Sequence, residues 1–150
     1  MRARLSAIAL ATFASLTIFG STGASAQTVQ FFAVLAGGNE PAGGDGNGQG
    51  VASVMLGRPG EICFSILARL IALPNAAHIH EQVAGTDGPI VVTLTTPTAA
   101  AGLSQTYRSA GCSSGVSTAI LARIRAAPSR FYVNVHNGAF PGGAIRGQLF

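Results

Sequence analysis

The chain has 150 residues, nine Arg, no Lys and five acidic residues, for a net charge of +4. That length fits a single small domain. The Arg residues are scattered and carry no interleaved aromatics, which argues against nucleic-acid binding, since that needs a dense basic patch.

The N-terminus reads as a signal peptide, residues 1–26. Arg2 and Arg4 supply a short positive region, residues 5–19 form an apolar run, and Ala24-Ser25-Ala26 is a small-x-small cleavage site. The run falls short of the roughly 20 apolar residues that span a bilayer. Ala3 separates the two Arg residues, so a twin-arginine export signal is not supported. The expected domain is therefore residues 27–150, secreted or periplasmic, with no transmembrane segment after signal cleavage. Seven Arg then remain against Glu40, Asp45, Glu61, Glu81 and Asp87, a net of plus two.

Residues 29–35 are rich in β-branched and aromatic side chains and predict a strand. Residues 37–50, crowded with Gly, Asn and Asp, predict a turn region. A second strand is expected over 51–56, ended by Arg58-Pro59-Gly60. A third is expected over 61–72, with Ile62, Phe64, Ile66, Ala68 and Leu70 on one face. Pro74-Asn75 is expected to break it, and residues 76–80 to form a short strand. A turn over 85–89 leads to a strand over 90–94. Residues 96–115, rich in Thr, Ala, Ser and Gly, predict loop.

One helix is expected over 117–126. Ser117 caps it, Ile120, Leu121 and Ile124 share a face, and Pro128 stops it. Residues 131–137 and 144–150 predict the last strands, joined by a Gly-rich hairpin loop. Short strands at regular spacing with Gly-rich turns indicate an all-β sandwich or barrel. Cys63 and Cys112 are the only cysteines. In an exported chain an even count reads as a disulfide, worth about 4 kcal/mol by loop entropy. The competing reading is a pair of thiolate metal ligands.

The chemistry-bearing residues are the three histidines. Successive strand residues face opposite sides. His78 and His80 therefore point one way and Ile79 the other; Tyr132, Asn134 and His136 share a face opposite Phe131, Val133 and Val135. If Ile79, Val133 and Val135 face the core, all three imidazoles lie on the outer, more polar face. Should the two strands be neighbours, the rings converge. Such a set suits one copper or zinc ion with a fourth position left for water. The competing reading is that the histidines only hydrogen-bond loops into place, with Asn134 and Arg146 as partners.

Several stretches together resemble the CHRD domain family, named for chordin. They are Ala77-His78-Ile79-His80, Gly88-Pro89-Ile90-Val91-Val92, Tyr132-Val133-Asn134-Val135-His136 and Pro141 through Leu149, with Gly38-Asn39-Glu40-Pro41 near the start. Cys63 and Cys112 recur in some bacterial members. The chain departs from the pattern at Ala144, where many members carry Glu, and at Glu81, where a basic or small residue is common. The resemblance implies an immunoglobulin-like antiparallel β-sandwich or barrel and no established activity. His78-Ile79-His80-Glu81 is also similar to a fragment of the copper-zinc superoxide dismutases, but three histidines are too few for that enzyme's full site.

Other motifs carry less. Gly111-Cys112-Ser113-Ser114-Gly115 matches Gly-x-Ser-x-Gly, yet a nucleophile elbow needs a strand-turn-helix in a large α/β fold. Asp45 through Gly50 imitates a calcium loop, but its twelfth position is Leu56 instead of Glu. Arg146 is expected to anchor an ion pair, with Glu81 and Asp87 as candidates. The functional expectation is a non-enzymatic binding module for an unknown extracytoplasmic ligand or protein, carrying copper or zinc on His78, His80 and His136. The alternatives are a small copper-dependent redox enzyme and a structural envelope or matrix component.

Overall fold

Alternation of buried and exposed residues builds the first half of the sheet. The computed structural model describes residues 27–150, so the expected signal peptide lies outside the described residues. Strand β1 (Val29–Ala36) buries Phe31, Ala33 and Leu35; β2 (Gln49–Leu56) buries Ala52, Val54 and Leu56; β3 (Glu61–Arg69) buries Ile62, Phe64, Ile66 and Ala68. Each of the larger side chains contributes about 2 kcal/mol by leaving water. The chain continues through β4 (Pro74–Glu81), β5 (Ile90–Leu94), β6 (Thr98–Ala99), β7 (Thr106–Ser114), the helix α1 (Thr118–Ala126), β8 (Phe131–Asn137) and β9 (Ile145–Gln148).

All nine strands belong to one antiparallel sheet in the order β5-β4-β8-β9-β1-β2-β3-β7-β6. The sheet curls on itself. The Ser113 hydroxyl on β7 donates to the Thr93 carbonyl on β5 at 2.7 Å, so strands from opposite ends of the sheet meet. The architecture is thus a curled half-barrel around one core. Helix α1 adds Leu121 and Ile124 to that core. Its N-terminus is capped as expected, the Ser117 hydroxyl accepting from the Ala119 amide at 3.2 Å. Arg125 donates to the Leu56 carbonyl at 2.9 Å, tying the helix to the end of β2. Among the described residues no helix is long and apolar enough to cross a membrane.

Three segments differ from the sequence-based expectation. The expected loop over 96–115 contains β6 and all of β7. Alternate positions of β7, Tyr107, Ser109, Gly111 and Ser113, are half-buried, and three of these four are small or polar, so the strand carries no apolar signature. The third strand stops at Arg69 because Leu70 adopts φ 57°, a left-handed conformation unusual for a bulky residue. That bend sends Ile71 into the core and leaves Leu70 half-buried. Pro74 opens β4, where no preceding ladder bond is needed, instead of breaking a strand.

Cys63 and Cys112 form a disulfide between directly opposed residues of β3 and β7. It lies on the side of the sheet away from the core. The Gly-x-Ser-x-Gly match therefore sits on a paired strand and its cysteine is consumed. Residues 45–48 make a tight turn closed by the Gly48 amide on the Asp45 carbonyl at 2.9 Å, as a turn reading requires.

Candidate metal centre

Strands β4 and β8 are hydrogen-bonded neighbours, with Ile79 opposite Val133 and His78 opposite Asn134. Ile79, Val133 and Val135 are fully buried in the core. The histidines consequently share the outer face, as the alternation demands. That face is itself covered: His80 and His136 are each only 8% exposed, and His78 is half-buried. The cover consists of two loops, residues 82–89 and 138–144, folded back over the strands.

The three imidazoles converge. One nitrogen from each of His78, His80 and His136 lies within 4.8 Å of the others. Nδ1 of His78 is 3.2 Å from Nε2 of His136. Nitrogens bound at about 2.0–2.1 Å to a tetrahedral zinc stand about 3.3 Å apart, so this pair has the spacing of two ligands.

Loop carbonyls set the tautomers. A carbonyl only accepts, so Nδ1–H of His80 donates to Gly88 at 2.8 Å and Nδ1–H of His136 donates to Pro141 at 3.1 Å. Both rings then present an Nε2 lone pair to the cluster. Fixing one ring nitrogen to aim the other is how metal-binding imidazoles are oriented. The Nε2 of His80 is buried and has no hydrogen-bond partner. Burial lowers all three imidazole pKa values below 6.5; the neighbouring imidazoles deepen the effect at His78, while the Gly88 and Pro141 carbonyls oppose it at His80 and His136. The rings are therefore neutral near pH 7, the form that binds metal.

Behind the cluster lies a stack. Tyr132 packs parallel to His80, and the guanidinium of Arg146 sits 4.3 Å from the centre of the Tyr132 ring on β8. The Tyr132 hydroxyl accepts from the Gly88 amide at 3.1 Å, holding the peptide whose carbonyl takes His80. Arg146 is 1% exposed and donates to Asp87 at 3.0 Å and to the Thr86 carbonyl at 3.1 Å.

In the competing reading, in which the histidines only brace loops, Asn134 and Arg146 bond the histidines. Among the described residues neither does. Instead each holds a loop that does. Arg146 grips Thr86 and Asp87 beside Gly88. Asn134 donates to the Gly142 carbonyl at 3.4 Å, beside Pro141. Of the two candidate acids, Asp87 pairs with Arg146. Glu81 instead forms a two-pronged ion pair with Arg123 of α1, at 3.0 and 2.9 Å. Sequence reasoning missed the carbonyls of Gly88 and Pro141 and the brace supplied by Tyr132. Only the shared face of Tyr132, Asn134 and His136 pointed towards them.

Residues 31–149 match a family model described as the CHRD domain. No curated protein and no solved structure gives a significant match.

Proposed function

The chain belongs to the CHRD domain family, and on that premise we propose that it is an exported binding module carrying one copper or zinc ion on His78, His80 and His136. The observation that carries this reading is the convergence of one nitrogen from each of the three rings within 4.8 Å, in a cluster where the Nε2 of His80 is a buried acceptor without a partner. Leaving such an atom unpaired costs about 1–3 kcal/mol, and a coordinated ion removes that cost. Three neutral nitrogen donors suit copper or zinc and leave a fourth position for water or for a ligand on a partner. The disulfide on the outer face supports folding in an oxidising compartment.

The test is metal content of the purified protein with His80→Ala as control. Binding of zinc or copper at micromolar concentration by the native chain, lost in the variant, is expected. Absence of binding by the native chain overturns the reading. Redox cycling of bound copper, abolished in the same variant, would move the assignment to a copper-dependent redox enzyme.

A further inference from the structure

The outer face of β1, β2, β3 and β7 is apolar and uncovered. Of the nine large apolar side chains exposed among the described residues, five stand there: Phe32, Val34, Val51, Met55 and Phe150, each 40–67% exposed. Phe150 joins the group because its backbone pairs with Phe32, and the two rings lie 6.5 Å apart. We propose that this face is a homodimer interface, on which a second copy of the chain lies face to face and end for end.

Strand register sets what the face displays. Outward positions line up in rows: Val34 beside Val51 beside Leu67, then Phe32 beside Ser53 beside Ser65 beside Ala110, then Gln30 beside Met55 beside the disulfide. The two central hydroxyls, Ser53 and Ser65, bond each other at 2.9 Å, so covering them costs less than covering two free hydroxyls. A monomer rarely leaves a continuous apolar patch of more than a few hundred Å² in water. Four strands about 4.8 Å apart, each rising about 3.3 Å per residue, span roughly 500–600 Å² in projection here. With the relief of the side chains, that approaches the roughly 800 Å² per partner of a stable interface.

Charge points to a second copy as the occupant. On β3, Glu61 and Arg69 are equally far from Ser65 on either side, and the strand alternation puts all three on the outer face. Glu61 Oε1 lies 3.6 Å from the Cys63 sulfur, on that same face. Arg108 stands beside Leu67, at the Arg69 end. Among the described residues none of Glu61, Arg69 and Arg108 has an ion-pair partner, and Arg58 in the turn before Glu61 makes no pair with it. A face with its acid at one end and its bases at the other is complementary to itself. Turning a second copy end for end about Ser65 brings Glu61 of each chain over Arg69 of the other, twice, as a two-fold axis requires. The rows then match in kind: Phe32 meets Phe32, and Val51 and Leu67 meet Met55 and the disulfide. Sheets stacked in this way sit about 10 Å apart with their strands within about 30° of each other. The histidine cluster lies on β4 and β8, so this inference does not depend on the metal reading.

The experiment is sedimentation velocity of the purified protein from micromolar to submillimolar concentration. A monomer–dimer equilibrium is expected. Val51 is 51% exposed, so Val51→Arg should keep the fold, checked by circular dichroism, while burying an unpaired charge at the interface and weakening the dimer by about a hundredfold or more. Arg69→Glu should weaken it by about tenfold, since two attractions become two repulsions. The double variant Glu61→Arg/Arg69→Glu should restore it, which a merely structural role for either residue would not allow. A monomer at every concentration, a dimer that Val51→Arg leaves intact, or no restoration in the double variant overturns the proposal. Flotation of a monomeric native chain with phosphatidylcholine vesicles, lost in Val51→Arg, would also overturn it and give the face to a lipid surface.

Discussion

The ring of Tyr132 lies flat against the ring of His80, centroids 4.9 Å apart and planes 7° from parallel. Its hydroxyl simultaneously holds the Gly88 amide, so one side chain fixes both the plane of His80 and the carbonyl that sets its tautomer. Tyr132→Phe keeps the first function and removes the second. It should lower stability by about 1 kcal/mol and metal affinity by about tenfold. Urea unfolding and zinc titration calorimetry measure the two effects independently. Unchanged affinity would show that Gly88 holds its place without the hydroxyl.

His78 and His80 should separate binding from folding. His80 is buried and bonded to Gly88, so His80→Ala leaves that carbonyl unpaired and opens a void, costing about 2 kcal/mol. His78 is half-buried and its nitrogen contact is to another imidazole. His78→Ala should cost less than about 1 kcal/mol. Both variants should lose metal binding. Thermal unfolding beside metal analysis gives the comparison, and full metal retention in His78→Ala would remove that residue from the ligand set.

The pH dependence of the metal-free protein follows from opposed groups. Each histidine has a folded pKa below 6.5, so its contribution is fully present above that value and is lost as pH falls towards the folded pKa. Glu40 runs the other way. Its folded pKa near 7 against 4.5 means that its contribution is present below 4.5 and lost as pH rises through 7. Between pH 4.5 and 6.5 the two contributions oppose each other, so the histidine part is read from the difference between variants. Glu40→Gln removes the falling contribution, and its stability should rise with pH more steeply than that of the native chain up to 6.5. Urea midpoints of both proteins across this range check the comparison, and a shallower rise in Glu40→Gln would contradict the sign.

Reduction of the disulfide should cost about 4 kcal/mol by chain entropy while leaving the core intact, because Cys63 and Cys112 lie on the outer face of β3 and β7. A Cys63→Ser/Cys112→Ser double variant should match the reduced protein in its denaturant midpoint and keep the native circular dichroism. The proposed metal site is built on β4 and β8, so its affinity should be unchanged.

The sequence displays the outer half of this account better than the inner one. Strands β1 to β3 alternate large apolar and polar residues, so their faces are legible by inspection. The convergence of His78, His80 and His136 follows from period-two geometry once β4 and β8 are neighbours. What stayed hidden has a physical cause in each case. The half-buried positions Ser109, Gly111 and Ser113 of β7 carry no apolar signal, and the one cue was Cys112, opposed to Cys63 in register. The carbonyls of Gly88 and Pro141 are backbone atoms, identical in every residue, and only the path of the loops makes them orienting groups. Burial of the outer face was equally illegible, since it arises from the loops folding back and not from the composition of β8.

The rings of His78 and His136 come from positions 58 residues apart and meet only when β4 has paired with β8. A nascent or unravelled polypeptide offers an ion two rings at most, with neither loop in place to aim them. On the proposed reading, loading would be coupled to completion of the half-barrel, and a bound ion would report the number of correctly assembled molecules in a preparation.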